Sequence, residues 1–472
     1  MGSCSSKEVV YAVSRENPDK KDNETHIYCH PKMLGKSVFD LPLDVKTMTD
    51  VYKKLFNAQN EHKPFLGRRM VFNGTRQAHF TWKKAQEVQA EAEELGSGFL
   101  HLNLPSPRES YRSHSLSMIG ICSKNTVEYF CSDIACTLYG ITTVPIYDTF
   151  GEEASIFLME QTSLTTCVVS SQNLDFILKL KRGGHCRNLQ HLVVTDLEGP
   201  GEELRAKAQG LVNIYAYGQV RERGRQRLLP WKEAAPSDIW SISYTSGTSG
   251  QPKGVMISHR NIVSLFPAVQ EKVAITTNDC HLSYLPLAHV LERVIFAACA
   301  YNSLRIGVFS GDVQKLSEDA CSLQPTFFVS VPRLYVKMYD KVRENVKKSS
   351  SLAQNIYQHA LASKLARFHR SAETAHSIYD AIVFNKVRRT LGGKMRFMIC
   401  GAAPIDRDVL DFLKVNFCCP VLEGYGQTEG CGFQFATDLD DAHSGSVGGP
   451  FLNLEFKLVD VPEMGYLSTR VD

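Results

Sequence analysis

Apolar and polar positions alternate where Trp240, Ile242 and Tyr244 interleave with Ser241 and Ser243. A period of two predicts a strand with one buried face. Val255-Met256-Ile257 predicts a second short strand, and Ser258-His259-Arg260-Asn261 the start of a helix. Earlier in the chain, residues 80–84 open a helical pattern with Thr81 as candidate N-cap, and Val88, Ala92 and Leu95 continue one face. Residues 116–121 read as a buried strand, 125–139 as an apolar helix and 141–146 as another strand. Val168-Val169-Ser170 and Leu192-Val193-Val194-Thr195 continue the series. Such alternation predicts βα units, a mainly parallel sheet and an α/β fold.

Other stretches carry less pattern. Residues 1–40 are polar and are expected to form a poorly ordered leader, with the globular domain over 41–472. Residues 196–227 are polar and glycine-punctuated and read as surface structure. The apolar run 294–309 is broken by Asn302 and Arg305, so a buried helix and strand fit it better than a membrane span. Residues 341–389 predict an exposed helical excursion whose Lys and Arg form a solvated face. Residues 397–400 read as a strand, followed by a helix with Asp406 as cap and Val409, Phe412 and Leu413 buried.

Composition narrows the class. A chain of 472 residues is too long for one ordinary core, and 43% hydrophobic with 22% charged residues is a soluble globular balance. A net charge of +3 gives no electrostatic case for nucleic acid. The 14 cysteines have neither pairing rhythm nor metal-ligand spacing, so they read as reduced, mostly buried thiols of a cytosolic protein. Met1-Gly2-Ser3-Cys4-Ser5-Ser6 fits the N-myristoylation pattern, with Gly2 as acceptor. One acyl chain binds membranes only marginally, so palmitoylation of Cys4 is the second signal that stable peripheral anchoring needs. An unmodified polar terminus fits the same residues.

The densest chemistry lies in Tyr244-Thr245-Ser246-Gly247-Thr248-Ser249-Gly250-Gln251-Pro252-Lys253-Gly254. Glycines allow close backbone approach, successive N–H groups can face one anion, hydroxyls add donors, and a lysine adds charge. The reading is a phosphate-gripping loop. Its spacing is not that of a Walker A loop, since two residues separate Gly247 from Gly250 and Gly254 follows Lys253. A second cluster is Glu423-Gly424-Tyr425-Gly426-Gln427-Thr428-Glu429. Its aromatic ring can stack on a base, Gln427 and Thr428 can bond a nucleotide, and Glu429 offers a hard oxygen to Mg²⁺. Gly401-Ala402-Ala403-Pro404 is a strand-end turn whose small residues admit a planar ring.

These segments, in this order, resemble the signature motifs of the adenylate-forming (AMP-binding) superfamily, and Gly445-Ser446-Val447-Gly448-Gly449-Pro450 completes the pattern. Tyr284-Leu285-Pro286-Leu287-Ala288-His289 and Val329-Ser330-Val331-Pro332-Arg333-Leu334 are similar to the long-chain acyl-CoA synthetase branch. The resemblance implies the large N-terminal lobe of that fold: two βα subdomains with mainly parallel sheets and a small β-rich subdomain. It implies ATP, Mg²⁺ and CoA as co-substrates or cofactors and a long-chain fatty acid as substrate. Thr245 and Glu429 would hold Mg²⁺, with Lys253 completing the catalytic set. Ser246, Gly247, Thr248, Ser249 and Gly250 would cradle phosphates. Gly401, Ala402, Ala403 and Tyr425 would hold adenine, with Glu423, Gly424, Gly426, Gln427 and Thr428 completing the nucleotide site. His289 would lie beside the acyl pocket, although a hydrogen-bonded core histidine fits it equally.

The same resemblance implies a ribose-binding Thr-Gly-Asp segment, a hinge and a small C-terminal lobe with a catalytic lysine. None of these is found before Asp472, so a C-terminal lobe is expected to be missing. The expected function is an ATP-dependent long-chain fatty acid:CoA ligase. A non-catalytic nucleotide or acyl binder, or an adenylate former acting on another acid, are the alternatives.

Overall fold

The computed structural model describes residues 10–468 except 73, 108, 112–113, 198–203, 205, 207, 209, 246–250 and 442. The chain divides into two compact units. The first comprises Asp44–Val263 and Thr276–Leu323, the second Met1–Leu43, Ser264–Ile275 and Gln324–Asp472.

In the first unit, seven strands lie in the order Asn213–Ala216, His191–Val194, Thr166–Val169, Met118–Cys122, Thr142–Ile146, Ile239–Thr245 and Lys253–Ser258. All neighbours run parallel except the last pair. Parallel sheets are covered on both faces, so their strands are buried throughout. That explains a departure from the alternating pattern: Ser241 and Ser243 are as buried as Trp240 and Tyr244. The Ser241 hydroxyl donates to the Thr143 carbonyl at 3.2 Å. The unit also holds Cys280–Ser283, Arg305–Val308 and Pro64–Arg68 in parallel, with Thr81–Lys84 antiparallel to the last. The predicted cap Thr81 is therefore a strand residue. The helix begins later, as Ala85–His101, with Val88, Ala92 and Leu95 on its buried face as expected. The apolar run resolves into helix Val290–Tyr301 and strand Arg305–Val308.

The segment read as polar surface is more structured. Asn213–Ala216 joins the sheet, and helix Tyr217–Arg225 packs on Ala85–His101. There the Tyr217 hydroxyl donates to Glu91 at 2.8 Å and Arg221 pairs with Glu94 at 2.7 Å. These partners lie far apart in sequence, which hid them from a local reading.

The second unit carries Phe327–Ser330, Phe397–Cys400 and Val421–Tyr425 in parallel, extended antiparallel by Phe435–Ala436 and Gly449–Pro450. Asp406 caps Arg407–Phe417 as predicted, its carboxylate accepting from the Asp408 and Val409 N–H groups. The expected disordered leader is corrected from residue 10 onward. Val13–Arg15 and Ile27–Cys29 pair with each other and with Glu455–Phe456, and Tyr28 stacks on Phe456 at 5.5 Å. The lipidation candidates Gly2 and Cys4 lie outside the described residues. None of the described cysteines is in a disulfide. Among the described residues, no helix is long and apolar enough to cross a membrane.

His259 follows the antiparallel hairpin and is buried. The Met48 N–H donates to its Nδ1 at 3.0 Å, and burial pushes its pKa down to about 4. The unfolded chain binds this proton near 6.5 and the folded chain only near 4. Between those values the unfolded state holds more protons. Stability is therefore full above the upper value and falls as pH drops through the window, by about 3 kcal/mol in all. Denaturant unfolding at neutral pH and near pH 4 should recover that loss, and His259→Asn should lack that part of the slope.

Candidate active site

The hairpin of the first unit places two predicted residues. Tyr244 faces Gly254 and Thr245 faces Lys253, so the latter pair closes the ladder at the mouth of the loop. Directly opposed residues of an antiparallel pair share one face, about 5 Å apart at Cβ. A threonine and a lysine are thus rooted side by side at the end of the ladder. The Lys253 side chain is exposed and has no hydrogen-bond or ion-pair partner among the described residues. The strand behind them is held firmly, with the Tyr244 hydroxyl donating to Gln161 at 2.6 Å. Ser246, Gly247, Thr248, Ser249 and Gly250 lie outside the described residues.

His289 caps helix Val290–Tyr301, its Nδ1 accepting from the Leu291 N–H at 3.1 Å. Burial lowers its pKa, and the Tyr147 ring meets it edge-on at 6.4 Å. A neutral ring that accepts at Nδ1 carries its proton on Nε2. The segment leading to it is clamped by Asn125. That side chain donates to Ser283 Oγ at 2.8 Å and the Leu285 carbonyl at 2.7 Å, and accepts from the Leu287 N–H at 2.8 Å. Sequence reading passed over Asn125 as a helix-start residue. Its only local signal was an amide side chain just ahead of an apolar helix.

In the second unit the two turns that carry the adenine candidates are neighbours. Cys400 is in register with Glu423, so Gly401-Ala402-Ala403 and Gly424-Tyr425 leave adjacent parallel strands at the same carboxyl edge. Open α/β sheets bind ligands at that edge. Gly401 donates its N–H to the Ser330 carbonyl at 3.2 Å, and a Cβ there would sit 3.3 Å from the Gly424 oxygen. Glycine thus keeps the two backbones in close approach. Ala402 and Ala403 are exposed, and Ala402 holds a φ of +72°. An alanine in the left-handed region stores strain, which is common in ligand-binding turns.

Tyr425 is 48% exposed, its ring tilted against Phe435 at 6.1 Å. Beyond it the chain folds back so tightly that a Cβ on Gly426 would fall 1.3 Å from the Gly432 oxygen. The Gln427 carbonyl accepts from the Gly430 and Gly432 N–H groups at 3.1 and 2.9 Å. Thr428 and Glu429 lie on the resulting short 3₁₀ turn, Thr428–Gly430. Glu429 is exposed and without a hydrogen-bond or ion-pair partner among the described residues.

Glu423 differs from the rest of its cluster. It is buried, and its carboxylate accepts from the Gly445 N–H at 3.3 Å. Burial pushes its pKa up against that hydrogen bond and the charge of Lys414. Its role here is to hold the 445 segment rather than to offer an exposed contact. A groove of about 480 Å³ in the second unit lies among Tyr339, Arg343, Tyr357, His369 and Phe412 and includes none of the predicted residues.

Long chain acyl-CoA synthetase 7, peroxisomal, of Arabidopsis thaliana is 34% identical over 98% of this chain and 64% of its own length. Long chain acyl-CoA synthetase 4 of the same plant is 34% identical over 98% of this chain and 68% of its own. The chain therefore spans roughly two thirds of the length of these proteins, and slightly less of the first. Among solved structures, the adenylation domain of a carboxylate reductase from Mycobacterium chelonae superposes with a TM-score of 0.70 at 20% identity, covering 94% of this chain and 65% of that one. That likeness establishes the α/β fold. The AMP-binding enzyme family matches residues 57–472, and the chain belongs to it.

Proposed function

We propose that this chain serves ATP-dependent activation of a long-chain fatty acid, through an acyl-adenylate, to acyl-CoA. The observation that carries the reading is the pairing of the Gly401–Ala403 turn with Tyr425 at one carboxyl edge, where a purine ring can lie on small residues beside an aromatic face. The long-chain part rests on relatives that are 34% identical over 98% of the chain.

A carboxylate is a poor electrophile. In the proposed reaction it attacks the α-phosphate of ATP, pyrophosphate leaves, and the CoA thiol then displaces AMP from the mixed anhydride. Phosphoryl chemistry of this kind depends on positioning and on stabilising developing charge. Lys253 and the loop that starts at Thr245 would neutralise the polyphosphate. Tyr425, Gly401, Ala402 and Ala403 would orient the base, with Gln427 and Thr428 beside it. His289, neutral with a proton on Nε2, would offer a hydrogen bond near the acid.

Mg²⁺ takes one or two carboxylates together with waters and substrate phosphates. Glu429 of the second unit, exposed and without a partner among the described residues, is a hard oxygen donor that suits it, and Thr245 of the first unit carries a hydroxyl of the same kind. When bound, the cation would neutralise charge on the phosphates.

Incubation with palmitate, ATP, Mg²⁺ and labelled pyrophosphate tests the reading. Label should enter ATP with palmitate and not with aromatic acids. Exchange with an aromatic acid alone would move the chain to another branch. ATP binding with no exchange for any acid would favour a non-catalytic binder.

A further inference from the structure

The helical excursion contains a charge that the sequence pattern assigned to solvent. Along Ser351–Ser371 the buried stripe runs Tyr357, Ala360, Lys364 and Phe368. Lys364 thus occupies a core position, and it is 1% exposed. Its ammonium donates to Asp380 at 2.5 Å and to the Val415 carbonyl at 2.7 Å, and lies over the Phe384 ring at 4.6 Å. Its third hydrogen bond goes to a thiol: Nζ stands 3.1 Å from Cys418 Sγ.

Cys418 is the C-cap of Arg407–Phe417, in the left-handed region with φ +56°. It is half-buried, so a small oxidant can reach the sulfur while the amine behind it stays dry. The sulfur also points at the Val415 and Asn416 carbonyls, which fix its direction. Asp380 completes the group and accepts the His376 N–H at 2.6 Å. Three elements therefore converge on one amine, one thiol and one carboxylate. No role in adenylation is assigned to any of them.

We propose that Lys364 and Cys418 form an oxidative modification site, joined by a covalent N–O–S bridge when the chain meets hydrogen peroxide. One oxygen atom fits between Nζ and Sγ with little displacement of either helix. The first peroxide oxidises the thiol to a sulfenic acid and is reduced to water. The second takes two further electrons: the S–O–H and N–H hydrogens leave, the N–O bond forms, and two more waters result. Starting from the ammonium, the sum is one thiol, one ammonium and two peroxides giving the bridge, three waters and one proton. Asp380 is placed to take that proton. Burial pushes the thiol pKa up to about 11, with Lys364 opposing it, so the reaction suits sustained oxidation rather than rapid turnover. The bridge would tie Ser351–Ser371 covalently to the end of Arg407–Phe417, whose other end follows the Gly401–Ala403 turn.

Peroxide treatment of the intact chain, followed by proteolysis and mass spectrometry, tests this without any substitution. The expected product links the peptides carrying residues 364 and 418, with a mass equal to their sum plus one oxygen less two hydrogens. Dithiothreitol should release it. Cys419→Ser should retain the link and Cys418→Ser should lose it. Recovery of Cys418 only as sulfinic acid, or only in a disulfide with Cys419, would overturn the proposal. So would a link that persists in Cys418→Ser.

Discussion

Glu429→Gln is expected to lower Mg²⁺-dependent pyrophosphate exchange by about 10²- to 10³-fold, the usual cost of deleting one preorganised stabiliser of developing charge. The substitution keeps the size of the side chain and removes only its charge. A neutral amide oxygen is a weaker ligand for a hard cation, and the phosphates would then carry more of their charge uncompensated. Stability should hardly move. Glu429 is exposed on the Thr428–Gly430 turn and has no partner to lose among the described residues. Surface changes of that kind stay within about 0.5 kcal/mol. The informative measurement is exchange as a function of Mg²⁺ concentration, with a thermal melt of the same preparation. A variant that folds normally and exchanges at the original rate would remove Glu429 from the metal site and leave the fold assignment standing.

The turn that carries Glu429 was legible because its motif is contiguous. An aromatic, two glycines, an amide, a hydroxyl and an acid within the six positions 424–429 describe a turn and suggest its chemistry together. Likewise Trp240, Ile242 and Tyr244 disclosed the strand Ile239–Thr245. What a period of two does not disclose is whether a second layer covers the other face. Ser241 and Ser243 were read as the open side, yet they are buried in a sheet closed on both faces. Thr81 failed for a related reason. A threonine ahead of Val88, Ala92 and Leu95 has the local features of a cap, but pairing with Pro64–Arg68 draws it into a sheet. Strand pairing is a contact between distant segments, and local pattern is silent about it.

The same limit applies within the site. Each of the two candidate adenine turns could be read separately. Their adjacency depends on Cys400 standing in register with Glu423, across the helix Arg407–Phe417. Nothing in either turn specifies that register. Asn125 is the sharpest case, since all three of its hydrogen bonds reach a segment far along the chain. Lys364 shows how a helical charge pattern misleads. Most basic residues of the excursion do face water, and the exception is recognisable only by its place in the buried stripe with Tyr357, Ala360 and Phe368.

Arg293 is a second exception, and it sets the largest expected stability effect. It follows the Leu-Pro-Leu-Ala-His segment on helix Val290–Tyr301 and is 1% exposed. Its guanidinium donates to Asp133 at 2.7 Å and to the Thr143 hydroxyl at 3.0 Å, and lies 4.3 Å over the Trp240 ring. Asp133 belongs to Val127–Leu138, so one ion pair joins two helices and two central strands of the first unit. Asp133→Ala leaves a buried cation without its counter-charge, at a cost of about 3–5 kcal/mol. That is a large share of the 5–15 kcal/mol typical of a folded domain. Asp133→Ala should therefore shift the denaturant midpoint sharply. The double variant Asp133→Leu with Arg293→Met removes both charges at once, and it should recover most of the loss because no unpaired ion remains. If the double variant proves no more stable than Asp133→Ala, the penalty comes from packing around Trp240 rather than from a stranded charge. Equal stability of Asp133→Ala and the parent chain would mean that Arg293 is solvated in the folded state, contrary to its burial here.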